Sequence, residues 1–181
     1  GDMGKYNIAA CVKHFAAYGA AEAGRDYNTV DMSERTLREY YLPAYKAAVD
    51  AGVESVMTAF NTVDGIPAVG NKWLVDTVLR KEWGFDGVVI SDYNAFRELI
   101  VHSAAEDEKQ AACMAMNASV DIEMMSATYP KYLKELLAEG KVTMEQIDTA
   151  VLRVLRLKEK LGLFDNPYAD SNEEEAAKFI L

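Results

Sequence analysis

An aspartate that closes an almost wholly apolar run is the sharpest chemical signal in the sequence. Residues 87–90 (Gly-Val-Val-Ile) and Ser91 deliver Asp92 to the end of what reads as a buried strand. A carboxylate held on a rigid element suits a nucleophile or a metal ligand. The same residue would serve as an N-cap for a helix after Tyr93. Lys13 and His14 end another apolar run. They are adjacent, so ordinary alternation sends them to opposite faces; both reach one pocket only if the backbone there is unusual. Arg25 and Asp26 follow in a loop bracketed by Gly19 and Gly24, as pocket residues or as a surface ion pair. Met57, Phe60 and Asn61 end a further run, followed by Asp64-Gly65. Asp121 and Glu123, two apart, point the same way on a strand, where Asn117 and Ser126 are at hand to satisfy them.

Other chemistries lack their residues. No strand–GxGxxG–helix phosphate loop occurs. The only histidines are His14 and His102, so no metal cluster with credible spacing is expected, and no cofactor is called for. His102, after a short helical pattern, is expected to face solvent or cap. Cys11 and Cys113 make neither a disulfide framework nor a metal site and read as small buried hydrophobes. Tyr40–Tyr41 and Trp73/Trp83 fall at helical spacing and read as core.

The elements that must position these residues are four buried strands, at 8–15, 55–60, 87–92 and 119–124. Near-continuous apolar centres suit parallel strands covered on both faces. Each is followed by a helical pattern, at the spacing of a βα unit. Capping boxes at Asp31–Glu34, Asp107–Gln110 and Thr143–Gln146 open helices, and Asn71 caps another. Pro43 inside the first helix predicts a kink or a late start. In the last helix Ile147, Val151, Val154, Leu155 and Leu161 read as one apolar stripe. Beyond Phe164, residues 165–168 are turn chemistry, 171–175 an acidic, weakly structured linker, and 179–181 an apolar end that needs something to pack against.

The 181 residues carry 19 basic and 29 acidic side chains, a net charge of −10. That balance argues against a nucleic-acid or anionic-membrane binder, and the apolar runs are too short to cross a bilayer. No leader is read at residues 1–5, which run directly into the first strand. A complete eight-stranded β/α barrel takes about 250 residues, more than this chain has.

The stretches CVKHFAAYG (11–19), GRDYN (24–28), SERTLRE (33–39), SVM (55–57), LRKEWGFDGVVISD (79–92), LRLK (155–158) and LGLFDNPY (161–168) together resemble glycoside hydrolase family 3. Within it they are most similar to the periplasmic β-glucosidase-like members. The resemblance implies a parallel (βα)4 half-barrel over residues 1–168, the last four units of a TIM-type barrel, with 169–181 as an acidic linker or tail. It places the catalytic nucleophile of a retaining exo-acting β-glycosidase on Asp92. Lys13, His14 and Arg25 inherit contacts to sugar hydroxyls, and Met57 lines the pocket. Phe60 stands where many relatives carry a tyrosine. Family members hold the Lys-His-Phe segment with non-proline cis peptides, which would resolve the alternation problem. Ala118-Ser119 replaces the family's usual Ala-Gly. In most members the acid/base glutamate comes from a second domain; one branch uses an Asp-Ser-His loop that this chain lacks.

The implied substrate is a β-glucoside or oligosaccharide. The implied state is a fragment of a periplasmic or secreted parent, inactive or nearly so alone, whose open edges favour self-association or a complementing half-barrel. Two other readings stand beside it. One is a Mg²⁺-dependent phospho-acceptor signalling module using Asp92 with Asp26 or Asp121. The other is a silent sugar-binding scaffold.

Overall fold

The computed structural model describes residues 8–168 and 173–178. Six strands follow in chain order: β1 (Cys11–Phe15), β2 (Thr29–Val30), β3 (Ser55–Thr58), β4 (Thr62–Val63), β5 (Ile66–Pro67) and β6 (Val88–Ile90). The main sheet is parallel in the order β1-β3-β6, and Ile122 adds a parallel bridge to Ile90. The four expected runs therefore lie side by side in sequence order, each shorter than its apolar stretch. The fourth is reduced to its bridge for two visible reasons. Ser119 turns the chain at φ 67, and the Asp121 carboxylate takes the Val89 amide at 2.8 Å, where a ladder carbonyl would otherwise sit.

In β3 burial alternates, with Val56 and Thr58 buried, whereas in β6 the adjacent Val88 and Val89 are both buried. β1 is the outer strand, with Cys11 and Lys13 exposed. Cys11 thus departs from the buried role expected of it, because no strand covers that edge among the described residues. Cys113 is half-buried.

Helices pack beside the sheet: α1 (Glu34–Thr36), α2 (Leu42–Asp50), α3 (Phe96–Val101), α4 (Glu108–Asn117), α5 (Thr128–Ala138) and α6 (Met144–Lys160). Between α1 and α2 a π-helical stretch, Leu37–Tyr41, leads into Pro43. A proline lacks the amide that regular helical bonding needs, so the late start of α2 has a local cause. The cap here is Ser33, which accepts from the Thr36 amide at 3.2 Å, rather than Asp31. Asn71 accepts from Leu74 N at 3.0 Å and Asp107 from Gln110 N at 2.8 Å. Thr143 and Gln146 form the full reciprocal box.

In α6 the buried side centres on Ala150, with Ile147, Val154 and Leu157 half-buried, while Val151, Leu152 and Leu155 are exposed. The predicted stripe is rotated: the ion pairs of Arg153 with Asp86 and Asp121 turn that side of the helix inward. Tyr40, expected in the core, is 72% exposed. A short helical turn, α7 (Glu173–Ala176), lies in the acidic tail. The apolar end at 179–181 lies outside the described residues.

A second sheet, β2-β4-β5, was not anticipated. Its signal is present: Asp64-Gly65 sits between Val63 and Ile66, and both turn residues have positive φ (53 and 76), as a tight hairpin requires.

Candidate active site

The site is built where the parallel strands end. β6 hands over to Ser91 and Asp92. The Ser91 hydroxyl donates to the Asp92 carbonyl at 2.9 Å and accepts the Met124 amide at 2.8 Å. Asn94 N donates to the Met124 carbonyl at 2.8 Å. The strand end is thereby stitched to the fourth segment, so the Asp92 backbone has little freedom.

The Asp92 side chain is 13% exposed. Its Oδ1 accepts the Tyr93 amide at 2.6 Å. Oδ2 lies 3.2 Å from His14 Nε2 but has no aligned hydrogen-bond donor. The contact is electrostatic, and one carboxylate lone pair stays uncommitted. The helix that follows begins at Phe96 with Ala95 as its cap and no side-chain capping bond. Asp92 is therefore not the N-cap of α3.

The Lys13–His14 and Phe15–Ala16 peptides are cis. The unusual backbone that adjacent Lys13 and His14 demanded is present. Three donors hold this segment: the Tyr45 hydroxyl of α2 donates to the His14 carbonyl, Ala59 N to the Phe15 carbonyl at 2.7 Å, and Asn61 Nδ2 to the Ala16 carbonyl at 3.2 Å. Lys13 is exposed at the strand edge beside them.

The loop after β1 bends at four positive-φ residues, Ala17, Ala23, Gly24 and Tyr27. The Tyr18 hydroxyl donates to Asp26, and the same Asp26 oxygen accepts Tyr27 N at 2.9 Å. Burial first, and the Asp26 hydrogen bond second, push the Tyr18 phenol well above its ordinary pKa. Arg25 is exposed, and among the described residues no hydrogen bond or ion pair joins it to Asp26. The expected Arg25–Asp26 surface pair is thus replaced by a Tyr18–Asp26 pair. Phe60 is buried beneath this loop, 4.2 Å from the Tyr27 ring and 6.1 Å from Tyr18. Tyr18 in turn meets His14 edge-on at 5.1 Å. Met57 is half-buried and pairs in register with Ile90, two residues before Asp92.

His102 closes α3, its amide donating to the Glu98 carbonyl at 2.9 Å, and its ring does more than cap. Its Nε2 lies 2.9 Å from the Tyr27 carbonyl, tying α3 to the loop after β1. Asp121 is not at the site. Its side chain is 1% exposed, bonded to Arg80 at 2.6 Å, Arg153 at 3.1 Å and Val89 N. Burial lowers the Arg80 pKa while Asp121 opposes the shift. Glu123 accepts Thr128 N and Tyr129 N, both at 2.8 Å, and so caps α5. The two carboxylates that a strand reading places together serve separate structural tasks. With Asp121 and Asp26 both committed, neither is placed to share an ion with Asp92. Among the described residues no group of three acidic, histidine or cysteine side chains is arranged to hold a metal.

The structure brings His14 and Asp92 together, with Phe60 packed against Tyr18 next to His14, while Arg25 is exposed on the loop after β1. Sequence reasoning missed Tyr18 and the bonding role of the His102 ring. Their signal was weak, since both act through bonds to residues in other turns.

The glycosyl hydrolase family 3 N terminal domain matches residues 2–157. The chain belongs to glycosyl hydrolase family 3. It is 47% identical over 172 residues to a periplasmic beta-glucosidase of Salmonella typhimurium, covering 95% of this chain and 22% of that protein. It is 40% identical over 168 residues to a beta-xylosidase of Formosa agariphila, covering 88% of this chain and 23% of that one. A crystal structure of a beta-glucosidase from Listeria innocua in complex with glucose superposes with a TM-score of 0.88 at 58% identity, covering 91% of this chain and 23% of that chain. The chain therefore spans less than a quarter of the length of these relatives.

Proposed function

We propose that the chain is the nucleophile-bearing part of a retaining exo-acting β-glycosidase, with a terminal β-glucoside as its substrate. The observation that carries this reading is the Asp92 carboxylate: one oxygen is fixed by the Tyr93 amide, and the other lies 3.2 Å from His14 Nε2 with no aligned donor. A nucleophile needs that combination of fixed geometry and a free lone pair.

In the proposed reaction Asp92 Oδ2 attacks the anomeric carbon. A carbon–oxygen ester bond forms to the enzyme as the glycosidic carbon–oxygen bond breaks. The departing oxygen takes a proton from a second carboxylic acid, which the proposal places outside this chain. That group, now a base, takes a proton from water. The water oxygen attacks the anomeric carbon, the ester breaks, and sugar leaves with retained configuration. Lys13, His14 and Arg25 bind sugar hydroxyls, with Met57 and Phe60 lining the pocket.

The beta-glucosidase in complex with glucose supports a glucoside over other β-sugars, while the beta-xylosidase relative makes a xyloside the competing substrate. In this reading residues 1–168 are a (βα)4 half of a barrel, 169–181 a linker or tail, and the parent is periplasmic or secreted, as the Salmonella relative is named. The exposed edge strand β1 supports self-association or pairing with a complementing half. The isolated chain is then inactive or nearly so.

The test uses the intact protein and a 2-fluoro β-glucoside, which traps the ester. Mass spectrometry should find the label on Asp92, and Asp92→Asn should lower hydrolysis of a chromogenic β-glucoside by about a thousandfold or more. A label on another residue, or full activity in Asp92→Asn, overturns the assignment.

A further inference from the structure

Asp26 lies next to the residue proposed to bind sugar, yet it faces its own loop. Its Oδ1 receives both the Tyr18 hydroxyl and the Tyr27 amide. Tyr18 closes the near side of the loop and stands edge-on to His14 at 5.1 Å. On the far side the Tyr27 carbonyl meets His102 Nε2 at 2.9 Å, across 75 residues of sequence. Tyr27 also covers Phe60, with ring centroids 4.2 Å apart. Arg25 is thus the exposed first residue of a three-residue run whose other two members are fastened to different parts of the molecule. His102 belongs to the turn that closes α3, the helix following Asp92, so the second fastening links the Arg25 loop to the carboxylate's own βα unit.

We infer that Tyr18, Asp26 and His102 are positioning residues: together they clasp the loop after β1 so that Arg25 and the Tyr27–Phe60 wall are held in place beside His14 and Asp92. The inference rests on the proposed glycosidase reading for its kinetic consequence, but not for its structural one. A loop bent at four positive-φ residues, of which only Gly24 is a glycine, needs restraint to stay folded. The Asp26 acceptor supplies it from within, and the His102 ring supplies it from across the site.

The experiment compares Tyr18→Phe, Asp26→Ala, Asp26→Asn, His102→Ala and the Tyr18→Phe/Asp26→Ala double variant in the intact protein. Two readouts are taken. Against an aryl β-glucoside, Tyr18→Phe and Asp26→Ala should each raise KM about tenfold with little change in kcat, because the loop binds the sugar and does not act on the bond. The double variant should be no worse than Asp26→Ala alone, since removing Asp26 already removes the Tyr18 bond together with the Tyr27 one. Asp26→Asn keeps an oxygen acceptor and should restore most of the loss. The second readout needs no activity: trypsin cleavage after Arg25, followed by mass spectrometry, should accelerate several-fold in Tyr18→Phe, Asp26→Ala and His102→Ala, but not in Asp26→Asn. Additive losses in the double variant, or Asp26→Asn as impaired as Asp26→Ala, would overturn the clasp and make Asp26 a direct sugar ligand. Unchanged cleavage after Arg25 would overturn it as well. An intact protein with no glycosidase activity defeats the functional reading alone, and the cleavage rates still decide the clasp.

Discussion

Two buried aspartates, 29 residues apart in the chain, stand on neighbouring segments of one sheet and have opposite surroundings. Asp121 is saturated. Its Oδ2 serves Arg80 and the Val89 amide, its Oδ1 serves Arg153, and its side chain is 1% exposed. Asp92 is underbonded. One oxygen takes a single amide, the other has only an unaligned His14 nearby, and the side chain is 13% exposed. A carboxylate engaged on both oxygens is held in one place, and nothing is left for a substrate. A partly exposed carboxylate with a free lone pair is less satisfied and remains available to a substrate. The difference separates an aspartate that stabilises the fold from one that the fold holds in readiness.

The comparison can be broken most severely at Asp121. Asp121→Ala strands the Arg80 guanidinium, which is buried, and the Val89 amide. Arg80 keeps the carbonyls of Phe85, Gly87 and Ser119, so the loss should fall near the low end of the range for a broken buried pair, about 3 kcal/mol. Urea denaturation of the intact protein measures it. A loss below about 1 kcal/mol would mean that the pair is a bystander.

Much of this was legible in the sequence, and the limits are physical. The four apolar runs were read in their spatial order because two-sided burial demands continuous hydrophobicity. The cap at Thr143 was legible because a capping box is local. Asp92 and Asp121 could not be told apart by the same means. Both end or interrupt apolar runs, and what separates them is Arg80 and Arg153, 41 and 32 residues away in the chain. Cys11 was misjudged because an apolar run does not reveal whether its strand lies at an edge. The Arg25–Asp26 pair was the natural local guess, yet Asp26 reaches eight residues back to Tyr18, and no periodicity carries that information.

A smaller change sharpens the contrast on the Asp121 segment itself. Glu123 holds the first amides of α5, at Thr128 and Tyr129, and the Thr128 hydroxyl. Glu123→Ala should cost about 1–2 kcal/mol, the worth of an N-terminal cap, with Glu123→Gln intermediate because one good acceptor survives. The proposed glycosidase activity should be unchanged per folded molecule. A fall in kcat would place this segment in the site after all.

The smallest expected effect on stability belongs to the residue with the largest proposed effect on activity. In Asp92→Asn the side chain keeps its shape, and its amide oxygen can still accept the Tyr93 amide. What disappears is a negative charge for which Oδ2 has no aligned donor. The charge's attraction to His14 offsets part of its burial cost, so the net change should lie within about 1 kcal/mol of zero, in either direction. Thermal denaturation of the intact protein at neutral pH measures it. A destabilisation of about 3 kcal/mol, like that expected at Asp121, would show that Asp92 is a structural anchor too. An unchanged melting temperature together with abolished hydrolysis would separate the two aspartates cleanly, because the fold would then be indifferent to a charge that the chemistry requires.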